Sequence, residues 1–356
     1  MVHYNNRNRE KMKRPQPVTS KPEKPKPQQE KSTSTFSSST YSITHCLHSF
    51  AASTDPSSPA FEKTDLPGKG TGMVAARDLK AGDLVLQECP LFAIKDAEYL
   101  AQLGAIEDAY AKLSDQAKRE YDSLYIAHPQ RHFRKALAVF KTNAMQLGAG
   151  GRKAGIFLNG ARFNHSCTPN CHRAWDEQNG VEWFIAMEDI KAGTELTISY
   201  AEVRVPKEQR QNTLQRHFGF VCTCKACSLG PEETLESDAR RVEIKATDDS
   251  PNNLSKDDPL ELVRRIKRSL ALMEEEGLCG LKADLASECI NLCTAYGDLE
   301  NLNLWYDKAL EYDRFESGIW STKYHMITPW KGNLHLHPLL DTALNGSGRK
   351  VLEGPD

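Results

Sequence analysis

The alternation of apolar and polar residues predicts short strands in the first half of the chain. Met73–Ala76 and Leu84–Glu88 have the pattern of strands on either side of the turn "KAG". The pattern returns near residue 190, where "DIKAGTELTISY" repeats the core of "DLKAG". Two copies are too few for a solenoid, which needs at least about three repeats. We therefore expect two similar strand–turn–strand corners within one β-rich domain.

Two other regions have helical periodicity. Residues 96–150 carry apolar side chains at i, i+3 and i+4 spacings, which predicts a helical insert between the two corners. Further on, Asp258 suits an N-cap, Pro259 the first helical position and Gly277 a C-terminal stop. More apolar stripes follow at the same spacing, so we expect a C-terminal helical array over 258–345, similar in kind to tetratricopeptide hairpins.

The first 60 residues have a different composition. They are rich in Lys, Pro, Ser and Thr, and residues 1–31 carry nine lysines and arginines against three glutamates. Such a segment buries too little apolar surface to offset its chain entropy, so we expect a disordered basic tail over residues 1–60. Within it "KMKRP" is interpreted as a solvated basic run rather than a nuclear-import signal.

Bulk properties exclude some classes of function. The chain has 356 residues and a net charge of −2, which gives no general reason to expect nucleic-acid or membrane binding. No apolar run approaches the roughly 20 residues that cross a bilayer, and no signal-peptide core is found at the start. We therefore expect the ten cysteines to lie in a reducing compartment, where close clusters suggest metal binding or packing before disulfides.

The segment "CTCKAC" places Cys222, Cys224 and Cys227 in a C-x-C-x-x-C spacing. Structural zinc takes four ligands in a tetrahedron, so a fourth ligand has to come from elsewhere in the chain. The alternative is a loop with three free thiols. The candidates for the fourth ligand are Cys167, Cys171 and His217.

Three more motifs carry candidate chemistry. "NHSCTPNC", residues 164–171, suits a Cys–His nucleophile pair, a metal site, or a loop held by its own polar side chains. "GKGTG", residues 68–72, allows close approach of a ligand or is a flexible entry to a strand; a strand rather than a helix follows, which excludes a dinucleotide fingerprint. "ELTISY" ends a strand on Tyr200. A tyrosine at a strand end is more often a half-buried packing residue than a functional one.

Together with "FGFVCTCKAC", these motifs stand in the order and spacing of SET-domain protein lysine methyltransferases. The chain resembles the SMYD-type branch over residues 66–92 and 155–228. The resemblance implies an α+β fold with small sheets and a knotted loop, split by a helical insert and followed by a post-SET zinc segment and C-terminal helices. The MYND zinc finger of that branch is missing from the sequence, a pattern similar to MYND-less relatives of a fungal type.

The resemblance divides the chain into seven segments. They are the tail 1–60, the first SET part 61–95, the insert 96–150, the second SET part 151–203, the post-SET zinc segment 204–230, a linker 231–257 and the helical region 258–345.

The resemblance also implies site residues. Tyr200 is the expected catalytic residue, and Phe218 stands where the family often has a second tyrosine. One structural zinc ion is expected on Cys167, Cys222, Cys224 and Cys227. The residues expected to bind S-adenosylmethionine are Lys69, Gly70, Thr71, Gly72, Asn143, Asn164, His165, Tyr200, Phe218 and Phe220. In this interpretation the segment 164–171 is part ligand site and part metal site, and Cys171 has no role.

The implied function is S-adenosylmethionine-dependent methylation of lysine in a histone or other basic protein, by a monomer in the nucleus, the cytoplasm or both. An interaction protein that keeps the fold but transfers little or no methyl group is the main alternative, because of Phe218 and the missing MYND finger. A zinc-dependent nucleic-acid binder is disfavoured, since basic residues interleaved with aromatics are missing around the cysteines.

Overall fold

The computed structural model describes residues 59–95, 99–129, 134–148, 150–249, 258–331, 333 and 352–355. The expected disordered tail therefore lies outside the described residues up to residue 58. Among the helices that are described, none is both long and apolar enough to cross a membrane.

The described strands form three small sheets. The first has the order β1-β2-β10-β7, with β7 parallel to β10, and the other two, β3-β9-β8 and β4-β6-β5, are antiparallel. The strands are β1 Phe61–Leu66, β2 Gly70–Ala75, β3 Leu84–Glu88, β4 Phe92–Lys95, β5 Met145–Leu147, β6 Lys153–Ile156, β7 Asn164–His165, β8 Cys171–Asp176, β9 Val181–Ala186 and β10 Glu195–Ile198.

Helices occupy the insert and most of the second half of the chain. The helices are α1 Tyr99–Ala111, α2 Asp115–Asp122, α3 Lys135–Asn143, α4 Lys207–Phe218, α5 Pro231–Asp249, α6 Pro259–Glu275, α7 Lys282–Tyr296, α8 Leu299–Glu316 and α9 Thr322–Ile327. The predicted α+β class, with small sheets and a C-terminal helical region, is confirmed.

The repeated "DLKAG" and "DIKAG" corners pair with each other. An antiparallel bridge joins their apolar positions. Lys80 Nζ lies 2.7 Å from Asp189, and Lys191 Nζ lies 2.7 Å from Asp78, so each corner supplies one cation and one anion to the other. Each aspartate also accepts a backbone N–H from the opposite corner. These exposed pairs add little stability, and they join the two corners next to the antiparallel pairing of β2 with β10.

The insert forms its own apolar layer against the third sheet. The rings of Phe92, Tyr121 and Phe140 lie together, with centroids 5.6 Å and 5.9 Å from that of Phe92. The Tyr121 hydroxyl donates to the carbonyl of Ala136 at 2.6 Å, which satisfies the polar group inside this layer. The predicted helices of the insert are confirmed.

The linker predicted over residues 231–257 is wrong in its first part. Residues 231–249, expected within a linker, form α5, which packs against α6. Residues 250–257 lie outside the described residues. Helix α6 begins as predicted, with Asp258 accepting from the N–H of Leu260 and Pro259 at the first position. Consecutive helices of the array pack on each other around the buried Trp305.

Helix α7 begins without a capping side chain of its own. Leu281 occupies the N-cap position with φ of 81°. Glu316, at the end of α8, accepts the backbone N–H groups of residues 280–283 at 2.8 to 3.3 Å. A carboxylate from another helix therefore satisfies the free donors at this positive helix end.

We predict that Glu316→Ala lowers the free energy of unfolding by about 3 kcal/mol, because it leaves several buried N–H groups without an acceptor. Thermal unfolding followed by circular dichroism measures the change. Glu311→Ala is the matched control on the same helix, because its ion pair with Lys308 is exposed and costs under about 1 kcal/mol. Equal effects of the two substitutions would contradict the capping role.

Candidate active site and cysteine cluster

The loop of residues 164–171 is fixed on β10 at both of its ends. At its start, Asn164 and His165 form β7, parallel to Thr197–Ile198 of β10. At its end, the Asn170 side chain accepts the N–H of Thr197 at 2.8 Å and donates to the carbonyl of Glu195 at 2.9 Å. The loop therefore has one defined position relative to the strand that leads to Tyr200.

His165 connects the strand end to the cysteines. Its Nδ1 accepts the backbone N–H of Tyr200 at 3.0 Å, and its Nε2 lies 3.3 Å from Cys167 Sγ. Burial lowers the pKa of His165 to about 4, so the ring is neutral near pH 7. Because Nδ1 is an acceptor, the proton of the neutral ring lies on Nε2 and is directed at the sulfur of Cys167.

Tyr200 lies in an aromatic slot. Its ring centroid is 4.9 Å from that of Phe218 and 6.4 Å from that of Phe220, and its hydroxyl donates to the carbonyl of Phe163 at 2.5 Å. Burial raises the pKa of Tyr200, so the phenol stays protonated. The hydrogen bond to Phe163 uses its one proton and leaves the oxygen able to accept.

The glycine-rich segment lies beside Asn164. A Cβ at Gly72 would be 2.9 Å from Asn164 Nδ2 and 2.4 Å from Leu66 Cδ1, so a side chain does not fit there. Glu195 joins the glycine-rich segment to Asn164. Its Oε2 lies 2.5 Å from Lys69 Nζ, and its Oε1 accepts a hydrogen bond from Asn164 Nδ2 at 3.0 Å. The structure thus joins the glycine-rich segment to Asn164, and the next residue, His165, to Tyr200.

Three of the predicted residues have structural roles within the fold. Thr71 donates to Asp65 across the β1–β2 hairpin, and Gly70 has φ of 72°. Asn143, at the end of α3, donates to the carbonyl of Tyr125 at 2.7 Å and to that of Val139 at 2.8 Å. Its amide therefore orders the insert.

Four cysteines meet in one cluster. The sulfur atoms of Cys167, Cys222, Cys224 and Cys227 all lie within 4.8 Å of one another, and those of Cys167 and Cys227 are 3.6 Å apart. The cluster packs directly on Tyr200 and on its two phenylalanine neighbours. Cys171 is a separate buried thiol at the start of β8. Cys89 departs from the expectation of reduced cysteines, because it is disulfide-bonded.

Helix α4 positions the second half of the cluster. It ends at Gly219, whose φ of 76° is the left-handed conformation that favours glycine and reverses the chain. The Gln211 side chain then forms two hydrogen bonds to the backbone of Cys222, at 2.7 and 2.9 Å. The insert braces this helix end, since His128 Nε2 lies 3.1 Å from the carbonyl of Gln215.

Buried donors surround the sulfur atoms. The N–H of Cys167 points at Cys224 Sγ at 3.4 Å, and the ring of His165 donates to Cys167 as described above. Two arginines lie beside the cluster with 1% and 0% of their surface exposed, Arg210 and Arg241. Burial opposes the charge of Arg210, but Cys167 and Cys227 outweigh it and raise its pKa. The surroundings therefore suit an anionic sulfur cluster.

Arg241 extends these contacts to the helical array. Its Nη1 donates to the carbonyls of Val203 at 2.6 Å and Cys167 at 3.3 Å, while its Nε lies 2.8 Å from Glu276 Oε2. Glu276 follows α6 directly. One guanidinium thus connects the cysteine loop, the chain after Tyr200 and the C-terminal helices.

Sequence reasoning missed Asn170, Glu195, Arg210 and Arg241. The first two lie inside motifs that were singled out, and their roles depend on a pairing between β7 and β10 that spacing does not reveal. The arginines gave no signal, because a charged residue in a polar stretch is normally solvated.

We predict that Arg241→Leu lowers the free energy of unfolding by about 3 kcal/mol, because it leaves a buried carboxylate and two carbonyls short of a donor. Chemical denaturation measures the change. Arg240→Leu is the matched control: Arg240 lies 2.7 Å from the same Glu276 but is a quarter exposed. A smaller loss for Arg240→Leu is expected, and equal losses would show that the contacts to Cys167 and Val203 contribute nothing.

The chain was compared with known proteins. Residues 70–201 match the family model of the SET domain. Histone-lysine N-methyltransferase set5 of Schizosaccharomyces pombe is 28% identical over 284 residues, which cover 79% of this chain and 86% of that protein. Two relatives match more locally. The SET domain and MYND-type zinc finger protein 6 of the same organism is 32% identical over 37% of this chain and 26% of its own length. N-lysine methyltransferase SMYD2-A of Xenopus laevis is 32% identical over 31% of this chain and 24% of its own length.

The family match begins at the glycine-rich segment and ends one residue after Tyr200, so it encloses the loop of residues 164–171 and its partner strand. The predicted resemblance to SET-domain proteins is therefore confirmed over residues 70–201, which match the SET-domain family model.

Proposed function

We propose that this protein is a protein-lysine N-methyltransferase that uses S-adenosylmethionine. The SET domain and the methyltransferase names of similar proteins support this class. The observation that carries the proposal is the position of Tyr200. Its phenol lies in an aromatic slot, with its backbone bound to His165, next to Asn164 and the glycine-rich segment.

The residues around this slot suit S-adenosylmethionine. Gly72 brings the backbone of the glycine-rich segment directly against the Asn164 amide, since a Cβ there would lie 2.9 Å from Asn164 Nδ2. Lys69 and Glu195 place a cation and an anion beside the Asn164 amide. These groups suit the carboxylate and the ammonium of a zwitterionic amino-acid group. When bound, S-adenosylmethionine supplies a methyl group on a sulfonium for transfer to an amine.

We assign the holding of that molecule to Lys69, Gly70, Thr71, Gly72, Asn164, His165 and Phe220, with a contribution from Asn143. The Asn143 amide holds the carbonyl of Tyr125, so its contribution is to position the insert loop. Phe220 lies with its ring centroid 6.1 Å from that of His165, where it forms an apolar face for a base.

The slot also prepares the amine of the substrate. A free lysine, with a pKa near 10.4, is neutral in fewer than about one molecule in a thousand at pH 7. Apolar surroundings from Phe218 and Phe220 disfavour the ammonium and so lower the pKa of a lysine that enters. Tyr200 is the proposed catalytic residue, because its hydroxyl oxygen accepts a hydrogen bond and thereby orients the amine. Phe218 narrows the slot but offers no second hydroxyl.

The substrate in this proposal is a lysine in a basic protein segment, and a histone tail is the first to test because of the name of the Schizosaccharomyces pombe relative. We further propose that the enzyme acts as a monomer in the nucleus, the cytoplasm or both, without direct sequence-specific nucleic-acid binding.

We predict that Tyr200→Phe reduces methyl transfer at least about a hundredfold, because the amine loses the group that aligns it. The purified protein is incubated with histones or a cell lysate and S-adenosylmethionine that carries a labelled methyl group. Binding of S-adenosylmethionine, measured by calorimetry, should change less than about threefold, because Tyr200 mainly orients the amine.

The control Tyr110→Phe removes a hydroxyl of the same kind, bound to Asp122 in the insert, and should leave transfer intact. Undiminished transfer in Tyr200→Phe would remove Tyr200 from the mechanism. If S-adenosylmethionine binds but the wild type labels no protein, the chain is an interaction protein that keeps the SET fold.

A second part of the proposal concerns the cysteine cluster. We assign one structural zinc ion to Cys167, Cys222, Cys224 and Cys227. A tetrahedron with Zn–S distances of about 2.3 Å has sulfur atoms roughly 3.8 Å apart. The separation of 3.6 Å between Cys167 and Cys227, and a cluster within 4.8 Å, suit that size.

The charges around the cluster support the same assignment. Four thiolates and one divalent cation carry a net charge of −2, and the guanidinium groups of the buried Arg210 and Arg241 lie beside this charge, although each also pairs with a carboxylate, Asp238 and Glu276 respectively. The His165 ring donates a hydrogen bond to Cys167 Sγ. Such a bond to a thiolate holds the metal ligand in its orientation.

We predict one zinc ion per chain by elemental analysis of the wild type and less than about one tenth of that for Cys224→Ser. The control Cys171→Ser changes a buried thiol of the same loop outside the cluster and should keep the metal. The Cys224→Ser variant should also bind S-adenosylmethionine more weakly, because Phe220 precedes Cys222 in the wall of the slot. A wild type without stoichiometric zinc would overturn the assignment.

A further inference from the structure

A short segment near the end of the chain lies on the helical array in an unusual way. Residues 352–355 form no regular secondary structure, yet they lie against α6 and α8. We define the α6/α8 groove by five residues around this segment. They are Arg264, Lys267, Asp298, Asn301 and Trp305.

The α6/α8 groove contacts the main chain of the segment at consecutive positions. Asp298 Oδ2 accepts the N–H of Leu352 at 2.6 Å, and Asn301 Nδ2 donates to the carbonyl of Leu352 at 2.8 Å. Trp305 Nε1 then donates to the carbonyl of Glu353 at 2.9 Å. Three side chains of the array therefore hold the main chain of two consecutive residues of the segment.

Three side-chain positions of the segment are also selected. Leu352 is 4% exposed and enters the apolar core of the array. Glu353 lies 2.9 Å from Arg264 and 3.6 Å from Lys267. At Gly354, a Cβ would lie 2.8 Å from Asn301 Oδ1, so a larger residue does not fit without a shift. The site thus selects an apolar residue, an acid and a glycine, in that order.

We propose that the α6/α8 groove is a binding site for extended peptides of the form Leu-acid-Gly, and that segment 352–355 occupies it as an intramolecular ligand. The partner in trans is a protein that carries Leu-Glu-Gly or Leu-Asp-Gly in an extended stretch. This proposal stands apart from methyl transfer, since it uses none of the residues of the slot.

Two side chains of the groove are also held by contacts within α8. Asp298 already caps α8, with the N–H of Asn301 3.2 Å from Oδ1, and its Oδ2 holds the Asn301 amide at 2.8 Å. The two side chains that bind the segment are therefore positioned by the helix start itself. Leu304 extends the rim: it is 46% exposed, and its Cδ1 would lie 3.0 Å from a Cβ at Gly354. Side chains that are already held in place lose little freedom when they bind a peptide, which favours binding.

Tethering determines when exchange occurs. A segment joined to its site by a short stretch of chain has an effective concentration of about millimolar. A free peptide of the same sequence therefore competes poorly, whereas a partner with more contacts on the rim, or at high local concentration, displaces the segment.

The test uses the full chain and a fluorescent peptide with the sequence of residues 350–356, "KVLEGPD". The release variant Leu352→Asp with Glu353→Arg places charges that the α6/α8 groove does not accept. Fluorescence anisotropy should show that it binds the peptide at least about tenfold more tightly than the wild type, whose groove is occupied. A peptide with alanine in place of the glycine should bind at least about tenfold more weakly, because of the contact with Asn301.

Trp305→Phe in the release variant removes one hydrogen bond and should weaken peptide binding, whereas Trp320→Phe, outside the groove, should not. A second pair of variants serves if the release variant does not fold. The peptide "KVLRGPD" should then prefer the full chain with Arg264→Glu and Lys267→Glu over the wild type. A folded release variant that binds no peptide, or binds it no better than the wild type, would overturn the proposal and make the segment a fixed part of the core.

Discussion

The arrangement of the site depends on four sulfur atoms that come together from two distant parts of the chain. Cys167 belongs to the loop that starts in β7, and the other three follow α4. The backbone between Phe218 and Cys222 forms one wall of the slot around Tyr200, so the position of that wall follows from the cluster. The opposite side follows from the pairing of β7 with β10. Tyr200 thus lies between a part fixed by main-chain hydrogen bonds and a part fixed by sulfur.

Charge connects this site with the helical array. An anionic cluster is compatible with the interior only if cations lie beside it, and Arg210 and Arg241 meet that requirement. Arg241 in turn needs an anion, which Glu276 supplies from the end of α6. The interaction therefore extends from the cysteine loop through α5 to the array, and a change in any one charge alters the cost of burying the others.

Much of this could be predicted from the sequence, where local pattern and spacing carry the information. The sequence predicted two similar corners from the repeated "DLKAG" pattern and the start of α6 from its N-cap. It also predicted a cysteine cluster from the C-x-C-x-x-C spacing. Helix α5 was missed because it has no apolar stripe: the buried residues it contributes are Ser237, Arg241, Ile244 and Thr247. A helix that packs through polar side chains has the same sequence pattern as a solvated linker. Glu195, likewise, acts through partners 31 and 126 residues away.

The two sides of the slot should also differ in how they fail. The β7–β10 side holds Asn164 and His165 through backbone pairing, so it keeps its geometry as long as the sheet is intact. The Phe218–Phe220 side follows a left-handed turn at Gly219 and depends on the cluster that comes two residues later. Loss of the sulfur interactions therefore opens the apolar face while the polar face remains. Because it is the apolar face that excludes water from an amine, methyl transfer should be more sensitive to the state of the cysteines than the stability of the sheet is.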